Sequence, residues 1–205
     1  MPRTGLDPAA VVAAAAGLAD EVGLANVTMG LLAKRLGVRA PSLYKHVDGQ
    51  ADLNRRIAVL ALTELDDALR AALQGRSGRE ALAAAARTIP TYVVEHPGRY
   101  AATIRIDADG PGGPIVAAGA RVLDSLSAVL AGYRLDPADT VHALRLLRSL
   151  FHGFAVLEAA GGFELDTDVG ESFEWLIGFV DRGLTVTAAT PHRREHHAGH
   201  EEGQR

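Results

Sequence analysis

Thr28-Met-Gly-Leu-Leu-Ala-Lys-Arg-Leu-Gly-Val-Arg-Ala-Pro-Ser-Leu-Tyr-Lys-His-Val47 carries the signals of two short helices joined by a glycine turn. Thr28 is placed to cap a short helix, because a threonine oxygen satisfies a free N–H at a helix start. That helix carries Leu31, Leu32 and Leu36 and stops at Gly37, a residue at ease in the left-handed conformation that ends helices. A second short segment runs from Arg39 to His46, with Pro41 tolerated in its first turn. Two short helices around a tight glycine turn make a helix-turn-helix, whose second helix fits the DNA major groove. Leu31, Leu32, Leu36 and Leu43 are read as its core.

The polar residues of the stretch suit that groove. Thr28 offers a hydroxyl and free backbone N–H groups to a phosphate. Arg39 and Lys45 carry donors for guanine O6 and N7, and Tyr44 and His46 donors for phosphates; Ser42 sits among them. The whole chain of 205 residues has net charge −4, which argues against general nucleic-acid affinity. Its distribution points the other way. Residues 1–56 hold seven basic groups against five acidic ones, and no acid lies between Glu21 and Asp48. A basic head sits on an acidic body.

Outward from this motif the pattern is helical throughout. Asp7-Pro8 reads as N-cap and first helical residue, opening a helix with Val11, Val12, Ala15, Leu18, Ala19 and Val22 on one stripe and Gly23 at its end. A long helix is expected from about Ala51 to Leu73. Ser77 and Glu80 form a capping-box pattern opening a helix towards Val94, with a kink expected at Pro90. His96-Pro97-Gly98 breaks the chain before a short helix around Arg99–Ile106. Beyond the glycine-rich loop from Asp109, helices are expected over Ile115–Leu130, Asp136 to about Ala160, and Asp166–Ala189. The tail from Pro191 is polar and is read as disordered. The fold class is all-α, with about nine helices and no sheet.

Composition removes several functions. There is no cysteine, which excludes disulfides, a thiol nucleophile and cysteine-ligated metal. No G-x-S-x-G, H-E-x-x-H or Walker motif is present, and the Gly110–Pro114 loop lacks the Lys-Ser/Thr of a phosphate cradle. His196 and His200 have metal-ligand spacing, but on a tail with nothing to hold it; no metal and no cofactor are expected. The opening residues run into Asp20 and Glu21 too soon for a membrane span, so a cytoplasmic protein without membrane partners is expected.

With Ala51-Asp-Leu53 after it, the 28–47 stretch resembles the tetracycline-repressor (TetR) family of bacterial regulators. The LGV turn, the SLYKHV helix and the downstream leucine are its most specific parts. The segment Leu147–Phe163 is similar to a subgroup with a tryptophan/histidine–glycine C-terminal domain; here Phe151 precedes His152-Gly153. The resemblance implies a DNA-binding unit over 1–50, an effector-binding and dimerisation unit over 51–189, and a tail over 190–205. It implies phosphate contacts from Thr28, Tyr44 and His46 and base contacts from Arg39, Ser42 and Lys45. Gln50 stands where the family often has a lysine.

The expected function is a ligand-responsive regulator, chiefly a repressor, that binds a palindromic operator in double-stranded DNA as a homodimer. A small-molecule effector releases it. Apolar stripes on two faces of each of the last two long helices, with Trp175 and Phe179 on a second face of the final one and Gly153, Gly178 and Gly183 allowing close approach, point to a four-helix dimer interface. Effector-pocket candidates are the polar Tyr92, Arg105, His142, Arg145, Ser149 and His152, with aromatic Tyr100, Phe151, Phe154 and Phe163. An apolar or weakly anionic organic molecule fits them better than a nucleotide. Two alternatives stay open: a constitutive helix-turn-helix protein without ligand, and a small helical enzyme.

Overall fold

A computed structural model describes residues 6–104, 110 and 112–190. Within them lie nine α-helices and no strand: α1 (Pro8–Val22), α2 (Met29–Leu36), α3 (Ala40–Leu43), α4 (Gln50–Leu73), α5 (Gly78–Glu95), α6 (Pro97–Ala102), α7 (Pro114–Ala131), α8 (Pro137–Ala159) and α9 (Val169–Ala189), with one 3-10 turn at Leu24–Asn26. The two Asp-Pro starts behave alike. Asp7 accepts from the Ala9 N–H and Asp136 from the Ala138 N–H, each with proline in the first helical position. Asp168 opens α9 by accepting from the Glu171 N–H. The tail expected to be disordered, with its histidines, lies outside the described residues, as do Arg105, Asp107 and Asp109.

Several local expectations are corrected. Ser77 holds the N-cap position of α5 but its side chain makes no capping hydrogen bond, so the Ser77–Glu80 box does not form. The short helix after His96 starts earlier, at Pro97, and ends at Ala102. Leu31 is 36% exposed and Val22 lies outside the core as well. The buried face of α2 is Met29, Leu32 and Ala33, with Leu36 packed beside it, an i, i+3, i+4, i+7 stripe that excludes Leu31.

Two cores meet along α4. In the head, Val11, Ala15, Leu18, Leu32, Leu43 and Val47 close on Leu53 and Ile57. One turn later the same helix gives Ala61, Leu65 and Leu69 to the body, where they pack with Leu82, Ile89, Leu130, Leu147 and Phe151. The crossing of α4 and α7 carries a buried Asp66. It accepts from Ser125 Oγ at 2.7 Å and faces Arg70 Nε at 2.9 Å, so the charge is neutralised where water cannot do it. Among the described residues α7 alone is long and apolar enough to cross a membrane, and its Ile115, Ala118, Leu126, Val129 and Leu130 are buried inside the protein.

The head and body also touch through α1 and α6. Gly98 sits so close to α1 that a Cβ there would fall 2.0 Å from the Ala19 carbonyl oxygen. Beside it, the Arg99 N–H donates to Asp20 Oδ1 at 2.9 Å, and Arg99 Nε lies 2.8 Å from Asp20 Oδ2. Arg99 Nη1 then reaches Glu64 of α4 at 3.0 Å, where Tyr92 also donates its hydroxyl at 2.8 Å.

Candidate functional site

The helix-turn-helix follows from its punctuation. Thr28 Oγ1 accepts from the Leu31 N–H at 3.2 Å, so its own hydroxyl proton is left to donate outward. Gly37 adopts φ 65°, and the Val38 N–H returns to the Ala33 carbonyl at 3.0 Å, which closes the turn. The second helix is shorter than the Arg39–His46 segment read from sequence: regular α geometry ends at Leu43, and the His46 N–H bonds back to the Leu43 carbonyl at 2.9 Å. Downstream, the Asp48 N–H donates to Asp52 Oδ2 at 3.0 Å and fixes the start of α4.

Around this frame Thr28, Arg39, Tyr44 and Lys45 are exposed, and Ser42 and His46 are half-buried. Tyr44 is 56% exposed although its neighbours Leu43 and Val47 are core. Ser42 donates its hydroxyl to the Arg39 carbonyl at 2.6 Å, leaving it to act towards DNA as an acceptor. Arg35 is committed elsewhere: it forms a bidentate pair with Glu21 that ties α2 to α1. Lys34, Arg39 and Lys45 make no ion pair among the described residues. Lys34, exposed in the last turn of α2, was not singled out from the sequence; its place in the basic run was the available signal. Gln50 donates to Asn54 Oδ1 at 2.9 Å along its own helix.

The body holds a cavity of about 400 Å³ between α4, α5, α6, α7 and α8. Leu62, Leu65, Ile89, Val122 and Leu126 supply apolar wall, and Tyr100, Thr103 and Arg148 the polar groups. Of the sequence candidates the structure brings Tyr100 to this cavity and His152 to Tyr100, whose hydroxyl meets His152 Nδ1 at 2.9 Å. Burial raises the Tyr100 phenol above its ordinary pKa, opposed by the charge of Arg148. The other candidates are dispersed. Tyr92 is spent on Glu64; Phe151 is wholly buried core; Arg145 and Ser149 face outward; Phe163 packs on Phe154 with ring centres 4.8 Å apart. The stripe 142–145–149–152 divides between two sides of α8. Arg148, one turn before His152, was the residue the stripe missed.

On its other side α8 faces an open groove of about 700 Å³ with α9. His142, Leu146, Leu150, Trp175 and Phe179 line it, and Trp175 stacks on Phe179 at 5.4 Å while remaining 66% exposed. A Cβ on Gly153 or Gly183 would meet open space, as close approach by another surface requires. Gly178 differs: it is buried within the chain, under Arg182 and Arg79.

A helix-turn-helix head on an all-helical body defines the class of helix-turn-helix transcriptional regulators, and the relatives of this chain fall in it. Residues 11–56 match the bacterial regulatory proteins of the tetR family, and residues 82–180 match the tetracyclin repressor-like C-terminal domain. The chain belongs to the TetR family. It is 34% identical over 185 residues to YobS, an uncharacterized HTH-type transcriptional regulator of Bacillus subtilis (strain 168), covering 90% of this chain and 96% of that one. Two solved structures share the fold. A TetR variant from Acinetobacter baumannii AYE in complex with minocycline gives TM-score 0.68 at 22% identity, over 90% of this chain and 99% of that one. BioQ with its double-stranded DNA operator gives TM-score 0.63 at 23% identity, over 88% and 99%.

Proposed function

We propose that this regulator represses by binding a palindromic operator as a homodimer and leaves it when a small organic molecule occupies the body. The observation that carries the DNA half is the uncommitted cationic face of the head. Lys34, Arg39 and Lys45 point charge outward without an ion pair among the described residues, while the adjacent Arg35 is neutralised by Glu21. Thr28, Tyr44 and His46 then bind phosphates, and Arg39, Ser42 and Lys45 read base edges. The α8–α9 groove supports the dimer: an exposed Trp-Phe stack rimmed by leucines is the centre of an isologous interface, and two such helix pairs make a four-helix bundle.

Effector response is supported by position. The cavity touches α4 and α6, α6 touches α1, and a ligand that prefers one spacing of these helices shifts the heads. The DNA-binding unit over 1–50 and the effector unit over 51–189 act through α4, whose Leu53 and Ile57 pack into the core of the head. The test is fluorescence anisotropy with fragments selected from genomic DNA. A selected palindrome should bind tighter than random sequence, by about 10³-fold or more. Equal affinity for both at low salt would refute the reading.

A further inference from the structure

The cavity between α4 and α8 has a chemistry that narrows its ligand. Its wall is aliphatic, and the exposed Val116 and Leu123 of α7 extend that apolar surface to the rim. Its two neutral polar groups are already satisfied: Tyr100 is bonded to His152 Nδ1 at 2.9 Å, and Thr103 donates to the Tyr100 carbonyl at 2.8 Å. The nearby carboxylates are also engaged. Glu64 is held by Arg99 and Tyr92, and Asp66 by Arg70 and Ser125. Arg121, on the same helix as much of the wall, donates to Thr63 Oγ1 at 2.9 Å. That leaves Arg148. It lines the cavity, makes no hydrogen bond or ion pair among the described residues, and lies near enough to Tyr100 to act on its phenol.

Among the described residues a single guanidinium without an ion pair lies at the edge of this apolar chamber, which suits a molecule with an apolar body and a single planar anion, because a guanidinium grips a carboxylate through two parallel N–H bonds. A nucleotide's phosphates need more cations than the described lining supplies, and a purely apolar ligand would leave the guanidinium's donors unused. About 400 Å³ lies in the range of pockets for small organic molecules. We propose that this cavity binds an amphipathic carboxylate, its alkyl or aryl body among Leu62, Leu65, Ile89 and Leu126 and its carboxylate on Arg148. This deepens, and rests on, the effector reading above.

The experiment is isothermal titration of the full chain with decanoate, below its micelle concentration, and with decanol as the neutral counterpart. Arg148→Gln and Arg148→Lys are titrated alongside; the position is exposed, and thermal melts check that both variants fold. Decanoate should bind the parent protein at least about tenfold tighter than decanol. Arg148→Gln should abolish that preference without changing decanol affinity, and Arg148→Lys should restore part of it. Equal affinity for acid and alcohol, no saturable decanoate binding, or an Arg148→Gln variant that binds decanoate like the parent would overturn the proposal. Operator anisotropy in parallel separates the two readings. Decanoate held through Arg148 with no change in DNA affinity keeps this site and removes its effector role. Specific DNA binding with no decanoate binding removes the ligand class and leaves the DNA-binding reading standing.

Discussion

Gly98→Ala is the substitution that most sharply tests how the head is joined to the body. A Cβ at Gly98 would lie 2.0 Å from the Ala19 oxygen, 2.1 Å from the Ala19 carbonyl carbon and 2.5 Å from the Asp20 nitrogen. All three are backbone atoms, so no side chain can swing away; α6 must move off α1 by an ångström or more. Such overpacking costs ~1–3 kcal/mol. The same shift carries the Arg99 N–H beyond reach of Asp20 Oδ1, now 2.9 Å away, and a hydrogen bond to a charged group is worth ~1.5–3 kcal/mol. Together roughly 2.5–6 kcal/mol is expected, and at ~2–4 °C per kcal/mol for a chain of this length the Tm should fall by about 5–24 °C.

Gly17→Ala is the internal control. Gly17 lies inside α1 with nothing within 4 Å of an added Cβ, so alanine should instead stabilise the helix by ~0.5–1 kcal/mol. Differential scanning calorimetry at one fixed protein concentration measures both, which keeps any effect of association on Tm constant. A Gly98→Ala variant that melts within about 1 °C of the parent, or two substitutions that act in the same direction, would refute this account of the α1–α6 contact.

Other outcomes follow from the same geometry. Lys45→Ala should cost ~1–3 kcal/mol at one or two base pairs and relax specificity there, whereas Tyr44→Phe should weaken binding to all sequences alike; anisotropy on single-base operator variants separates them, and identical profiles would contradict the assigned roles. Trp175→Asp, on the exposed stack of α9, should give monomers in sedimentation velocity at concentrations where the parent is a dimer; an unchanged sedimentation coefficient would move the interface elsewhere. The Tyr92 phenol is raised far above its ordinary 10.0, first by burial and then by its hydrogen bond to Glu64. A raised pKa favours the protonated form in the fold, so that stability is present in full below pH 10 and is lost as pH climbs above it. Tyr92→Phe should therefore melt lower at neutral pH yet lose less on going to alkaline pH. Parallel melting curves from neutral to strongly alkaline pH would show that the Tyr92–Glu64 contact does not hold.

What the sequence determined by itself is local. Asp-Pro pairs start α1 and α8 because a carboxylate caps free N–H groups and proline loses nothing at a first helical position. Gly37 ends α2 because its left-handed backbone, φ 65°, suits glycine. These signals act within a few residues, so the helix-turn-helix and its exposed Tyr44 and Lys45 were legible without any fold. Periodicity says that a helix has an apolar side, but not which partner covers it. Leu31 therefore read as core until the packing of α2 on α1 selected Met29, Leu32 and Ala33. Only the tertiary structure joined Arg35 to Glu21 across 14 positions, Arg99 to Asp20 across 79, and Tyr100 to His152 across 52. It also turned one side of α8 to the cavity and the other to the groove, which left Arg148 at the cavity and Arg145 and Ser149 facing outward. The physical reason is that a side chain's role depends on the field and space made by residues distant in the chain, which no spacing along one helix encodes.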